Sequence, residues 1–311
     1  MKQYAIFDGH CDTAVELWLQ EGRLADAPLH ISLQRARDLE AYVQVFAFCV
    51  SWMPQEVQDG DAFAKSLAYF SHQLSLEQDR IRLLRTTKDV EAVLHGGGQG
   101  ALLSIEGAEA IGCDPGRLEE VYEAGVRMVS LTWNHANALA GSCVTGEGLT
   151  AQGREFFRHA QKLGMIVDVS HLSDRAFWEM CDLAEKPIVA SHSNSRAECP
   201  HPRNLTDEQF RAICDLGGTA GINLCGAFLA EQPATFDDVC RHVDHFYELG
   251  GAGHVALGGD LDGCDGLPQG FTGVENYLDM AEALSAHGYS DADIHEIFSE
   301  ALLGVVRRCV Q

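Results

Sequence analysis

The stretch IFDGHCDT, residues 6 to 13, places Asp8, His10 and Asp12 at alternate positions directly after an apolar run. On an extended segment residues two apart project to one side, so an imidazole and two carboxylates are expected to share one small volume. The pairing of residue type with position recurs down the chain: Glu106 follows ALLSI, His171 follows MIVDVS, His192 follows PIVAS and Asp260 follows HVALGG. Singly, each has an ordinary reading as a structural histidine or as a capping or solvated carboxylate. Together, the imidazoles and carboxylates make a nitrogen and oxygen donor set that suits Zn²⁺, with Mn²⁺ or Co²⁺ as substitutes, and does not suit Ca²⁺ or soft copper. The set exceeds the needs of one tetrahedral ion. One carboxylate shared by two ions would use it fully and trap a hydroxide between them, and Glu106, arriving between the two ligand groups, is the natural bridge.

Such a set must be gathered by the fold. Short apolar, β-branched runs lie at 4–8, 42–50, 101–105, 127–132, 165–169, 187–191, 219–223 and 254–258. Most are continuous rather than alternating, as expected of parallel strands covered on both faces. Helical patterns separate them, among them 150–164 with Thr150 as N-cap and Gly164 as stop, 174–185, 206–218 and 236–251. The C-terminal stretch opens on a Ser-x-x-Asp box at Ser290 and ends on Arg307 and Arg308, the charge order that suits a helix dipole. Strands alternating with helices, without a linker or low-complexity segment, argue for a single-domain α/β protein over 1–311, a (β/α)8 TIM barrel. An open doubly wound sheet is the structural alternative. In a barrel the active site lies at the C-terminal ends of the strands, where all six ligand candidates fall. HGGGQG, residues 95 to 100, precedes a strand instead of joining a strand to a helix, so it reads as a loop and not as a phosphate cradle.

Composition bounds the partners. The 311 residues are 46% hydrophobic and 22% charged, ordinary for a globular chain, and the net charge is -24, which disfavours nucleic acid and anionic membrane surfaces. Eleven cysteines without CxxC or regular spacing argue against a disulfide framework or a thiolate zinc site, and point to a reduced, cytoplasmic setting. The opening MKQYAIFDGHCD has no signal-peptide core, and no apolar run reaches the roughly 18 residues of a membrane span.

In combination and order, DGHCD, SIEGAEAI, GVRMVSLTWN, GLTAQGREFFRHAQKLGMIVDVSHLSD, IVASHSNSR followed by PRNLTDEQ, and GGDLDG make the chain resemble the membrane (renal) dipeptidase family, binuclear zinc peptidases of the amidohydrolase-like barrel group. The resemblance covers essentially the whole chain. It implies that His10 and Asp12 hold one zinc, that His171 and His192 hold the other, and that Glu106 bridges both. It further implies that Asp260 is the catalytic aspartate and that Arg203, in PRN, receives a substrate carboxylate; the planar guanidinium suits that task. It assigns no ligand role to Asp8, leaving it as a structural carboxylate that orients a backbone or an imidazole. A homodimer is implied by analogy alone.

Two positions depart from the family pattern. Trp133 stands where well-studied members have a histidine that polarises the scissile carbonyl, so that role could fall to His135, to Asn134 or to a metal alone. Cys225 stands where an aromatic residue is frequent, and is expected to behave as a small hydrophobe. The expected reaction is hydrolysis of a dipeptide by a metal-bridging hydroxide, with Asp260 moving the proton to the leaving amine and Arg203 selecting short substrates. An amide, N-acyl amino acid or lactone hydrolase on the same scaffold is the alternative. A non-catalytic metal-binding homologue would lack a ligand or the acid/base, and none is missing.

Overall fold

Each of the eight apolar runs becomes a strand, and the ladders between them close into a barrel. The computed structural model describes residues 3–53, 61–231 and 233–310. The strands in chain order are β1 (Ile6–Cys11), β2 (Ala41–Phe48), β3 (Ile81–Leu83), β4 (Gly98–Ile105), β5 (Val126–Ser130), β6 (Ile166–Asp168), β7 (Ile188–Ala190), β8 (Thr219–Ile222) and β9 (Val255–Leu257). Every pairing is parallel, and β2 hydrogen-bonds to β4 as well as to β1, so β1, β2 and β4 to β9 form a closed eight-stranded ring. The remaining strand, β3, adds to the early part of β4 through Ile81↔Gln99 to Leu83↔Ala101. It is too short and too polar at its flanks for periodicity to reveal. The HGGGQG segment is not wholly a loop: β4 begins at Gly98, after a helix that ends at Gly96.

The helices start and stop where local chemistry dictates. Thr150 accepts from Gly153 N at 3.0 Å to open Ala151–Leu163, and Gly164 closes it with φ +89°. Ser290 and Asp293 cap each other at the start of the C-terminal helical run. Helices Asp174–Cys181, Asp207–Asp215 and Phe236–Glu248 stop short of the expected ends, the last two at turns through Gly217 and Gly250 with positive φ.

The C-terminal run closes one end of the barrel. Leu302, Leu303, Val305 and Val306 pack in one buried cluster with Phe7, Val43, Leu102, Met128, Ile166 and Val189, each buried aliphatic side chain worth about 1.5–3 kcal/mol. With that end plugged by a helix, the opposite end is left to the loops that follow the strands. There the barrel interior narrows around the Ser191 carbonyl: a Cβ on Gly221 or Gly258 would lie 2.0 or 1.9 Å from that oxygen. Only glycine permits this approach, and it fixes the backbone just before His192.

Candidate active site

The expected ligands come together at the open end. His10 lies on β1 itself, because the strand runs to Cys11, and Asp12 sits at the start of the helix Thr13–Leu19 without spending its carboxylate on a cap. Glu106 directly follows β4, and His171, His192 and Asp260 lie just past β6, β7 and β9. His171 and Asp260 adopt left-handed backbone, φ 68° and 56°, a conformation that costs a residue with a side chain of order 1 kcal/mol or more and clusters at functional sites. All six are buried.

Glu106 stands at the centre. Its Oε1 lies 2.8 Å from His171 Nε2 and 3.5 Å from His192 Nε2, while its Oε2 lies 3.6 Å from His10 Nε2. Asp12 Oδ2 is 3.5 Å from the same His10 nitrogen, and Asp260 Oδ1 is 3.9 Å from it. One carboxylate therefore faces two ligand groups with its two oxygens.

Outer partners select which imidazole atoms face inward. His171 Nδ1 donates to Asn134 Oδ1 at 2.8 Å. Ser191 Oγ donates to Asp168 Oδ2 at 2.5 Å, so it accepts from His192 Nδ1 at 2.7 Å. These bonds assign both protons to Nδ1 and leave two bare Nε2 atoms 3.0 Å apart, beside a carboxylate oxygen. Three lone pairs meeting without a proton between them fit a cation. His10 Nε2 and Asp12 Oδ1, buried and lacking a hydrogen-bond partner, fit a second one. His10, Asp12 and Glu106 form one triad and Glu106, His171 and His192 another, and in each the donor atoms lie within 4.8 Å of one another.

The electrostatics follow from packing charges into a dry volume. Burial pushes Glu106 up to about 7, against the pull of His10. Asp12 likewise rises to about 7, through burial and then the neighbouring Glu106. Burial opposes charge on His10, yet Glu106, Asp12 and Asp260 together carry it to about 10, so the carboxylates around its Nε2 call for a positive charge there, which a cation would supply in place of the proton. His171 and His192 are held well below the usual imidazole range by burial, reinforced by Arg203 and His10 respectively. They are neutral, the form that binds metals.

Asp8 does not join this cluster. Its Oδ1 accepts from His10 N at 3.1 Å and Gly259 N at 2.9 Å, and its Oδ2 accepts from the Tyr277 hydroxyl. The alternation that groups it with His10 and Asp12 is broken by a register shift in the β1/β2 ladder between Asp8 and Cys11. Asp8 instead ties β1 to the segment after β9.

A cavity of about 760 Å³ opens above the cluster, with Asp12, Glu106, His171, Asp260, Arg203, Trp133, Asn134, His135, Phe228 and Cys225 among its walls. Arg203 is buried, and among the described residues its guanidinium makes only long hydrogen bonds, to Ser193 Oγ and the His192 carbonyl, both 3.4 Å, with Nε unpartnered. Its fork is open to an anion. Trp133 walls the cavity 6.2 Å from the His171 ring, and His135 is exposed at the rim. Asn134 is committed to His171. Asn223, which residue patterns did not single out, donates to Asp260 Oδ2 at 2.9 Å and to the His192 carbonyl at 3.2 Å.

Comparison with known proteins shows whole-chain likeness to metallopeptidases. Dipeptidase AC, a metallopeptidase of family M19, has a TM-score of 0.90 at 29% identity, covering 99% of both chains. A metallopeptidase from Rhodobacter sphaeroides, solved with a phosphinate mimic of the dipeptide L-Ala-D-Ala, has a TM-score of 0.89 at 29% identity over 99% of this chain and 100% of that one. An uncharacterised Klebsiella pneumoniae protein from the pqqA 5′ region is 34% identical over 264 residues, 81% of this chain and 97% of that protein. The family profile described as membrane dipeptidase (peptidase family M19) matches residues 1–311. This chain therefore belongs to the membrane dipeptidase family, peptidase family M19, and is a metallo-dipeptidase.

Proposed function

We propose that the enzyme cleaves dipeptides carrying a free C-terminal carboxylate, at a centre of two divalent ions, Zn²⁺ or in its place Mn²⁺ or Co²⁺. His10 and Asp12 would hold one ion, His171 and His192 the other, and Glu106 both. The observation that carries this reading is the placement of the two Glu106 oxygens, one toward His171 and His192 and one toward His10. Ions held there supply a water ionised near neutral pH and a polarised carbonyl.

The chain's own residues do the rest. The Arg203 fork receives the substrate carboxylate, which favours dipeptides because a longer chain places that group elsewhere. Asp260, fixed through Oδ2 by Asn223, takes the proton of the attacking water on its other oxygen and passes it to the leaving nitrogen. Asn134 acts through His171, and the Trp133 indole offers no imidazole to the scissile carbonyl, so polarising that carbonyl falls to His135 or to a metal. Trp133 and Phe228 give the cavity apolar walls, which supports a second reading in which N-acyl amino acids or lactones are the substrates. No described helix is long and apolar enough to cross a membrane. The eleven free thiols support the reduced cytoplasmic setting; a homodimer completes the reading by family analogy.

Elemental analysis of the purified enzyme, beside a panel of L,L- and L,D-dipeptides, N-acyl amino acids and lactones, tests this. About two ions per chain with dipeptide turnover is the expected result. One ion or none would undo the shared centre, and turnover confined to N-acyl amino acids or lactones would replace the substrate.

A further inference from the structure

The cavity wall beside Arg203 holds a second donor. His201 lines the same cavity as Arg203, Ala227 and Phe228. The turn that carries it is fixed from both sides: Asn204 donates through Nδ2 to the Cys199 carbonyl and to the Phe228 carbonyl, both at 2.9 Å. The loop after β7 is thereby tied to the short helix Gly226–Leu229, and the His201 ring packs on the Phe228 ring with centroids 4.5 Å apart at 36°. Within the turn the Arg203 amide donates to His201 Nδ1 at 3.2 Å. Partial burial, then Arg203 and Arg196, hold the imidazole below its ordinary range, so the ring is neutral and carries one proton. Because Nδ1 accepts, that proton is on Nε2. Among the described residues Nε2 has no hydrogen-bond partner, and it is the ring nitrogen left for the cavity.

The two donors meet different atoms of a substrate. The His201 ring lies against the Arg203 backbone, whereas the guanidinium reaches a full side chain away, to Ser193 Oγ and the His192 carbonyl. Arg203 is buried and His201 is half-buried, nearer the mouth. Phe228 touches both, with its ring against His201 and the Arg203 guanidinium 5.6 Å above its centroid. A residue anchored at Arg203 by its carboxylate therefore lies along Phe228 with the imidazole within reach of its side chain. We propose that His201 Nε2–H donates to the side chain of the C-terminal residue, and so selects dipeptides ending in a short acceptor-bearing residue, asparagine or aspartate, over an apolar residue of the same size. This selection rests on Arg203 holding the substrate carboxylate. A neutral donor asks only for an acceptor, so an amide oxygen suffices. Water competes for the same proton in a half-buried site, which keeps the gain to about 3- to 10-fold.

The test compares kcat/KM for Ala-Asn and Ala-Leu, with the second residue in either configuration, on the metal-loaded enzyme and two variants. His201→Asn places its Oδ1 to accept from the Arg203 amide, keeping the turn, and has no donor at the Nε2 position. His201→Phe keeps a ring on Phe228 and has no donor at all. The ratio of Ala-Asn to Ala-Leu should exceed one in wild type and fall by about 3- to 10-fold in both variants. An unmoved ratio, with both substrates losing alike, would reduce His201 to shaping the turn, and a wild-type ratio below one would overturn the preference. Calorimetric binding of free asparagine and leucine to the same three proteins repeats the comparison without turnover. Dipeptides left uncleaved beside an intact, His201-dependent preference for asparagine in binding would sink the dipeptidase reading and keep the subsite. Dipeptide turnover with an unmoved ratio would do the reverse.

Discussion

His171 Nδ1 donates to Asn134 Oδ1 at 2.8 Å, and this one bond turns the unprotonated Nε2 of the ring toward Glu106. An outer partner of this kind sets tautomer and ring angle together, and losing one costs about 10- to 100-fold in metal affinity. Asn134→Ala should therefore weaken binding of one of the two ions by that factor, read by competition against a chelator of known affinity, while the other ion binds as before. Equal affinity for both ions in variant and wild type would show that packing alone orients His171.

Asp260 is held from outside by Asn223 and faces His10 with its other oxygen. A carboxamide keeps the shape and the bond geometry but cannot carry the proton. Asp260→Asn should lower kcat by about 10²- to 10⁴-fold, the usual share of a general acid/base, with the metal content unchanged by elemental analysis. Loss of metal in parallel with activity would instead make Asp260 a ligand.

Much of this arrangement is legible before any fold is known, because buried parallel strands are continuous apolar runs and a ligand placed at the end of each is a pattern of residue type with position. The gaps have physical causes. Alternation alone groups Asp8 with His10, and only the family resemblance sets it apart as a structural carboxylate, the role it has here, because the register shift that separates the two leaves no mark in periodicity. Ile81–Leu83 is a three-residue strand that owes its existence to the open edge of β4 rather than to its own pattern. Ser191, Asp168 and Asn223 are ordinary polar residues until the strand ends bring them against His192 and Asp260. Arg203 sits in a long loop and stands out only through family resemblance.

Among the described residues Arg203 has no carboxylate partner within the site and keeps Nε unbonded. If it receives the C-terminal carboxylate, the enzyme should discriminate strongly between a dipeptide and the same dipeptide with an amidated C-terminus. Arg203→Met should raise KM for the free acid by about 10- to 100-fold, in line with the roughly 1.5–3 kcal/mol of a charged hydrogen bond, and leave the amide nearly unaffected. Steady-state kinetics on both substrates decide it, and equal losses on acid and amide would remove Arg203 from carboxylate recognition.

His242 couples the stability of the site's outer wall to pH. It is fully buried on the helix Phe236–Glu248, where Nδ1 accepts from Ser195 N at 3.1 Å and Nε2 donates to the Leu229 carbonyl at 3.0 Å. It thereby joins the loop after β7 to the short helix Gly226–Leu229, which carries Phe228 over the Arg203 guanidinium. Protonation would place a hydrogen against the Ser195 amide, and burial, the dominant cause, lowers the imidazole from 6.5 to about 4. In the unfolded chain the ring has its ordinary value, so between pH 6.5 and 4 the unfolded state binds the proton and the native state does not. The contribution of His242 is thus fully present above pH 6.5 and is lost as pH falls toward 4. At pH 5 the loss amounts to about 2 kcal/mol. Urea unfolding of wild type and of His242→Gln at pH 7 and pH 5 isolates it: the wild type should lose about 2 kcal/mol more than the variant over that interval, and identical losses would mean that the ring is already charged in the native state.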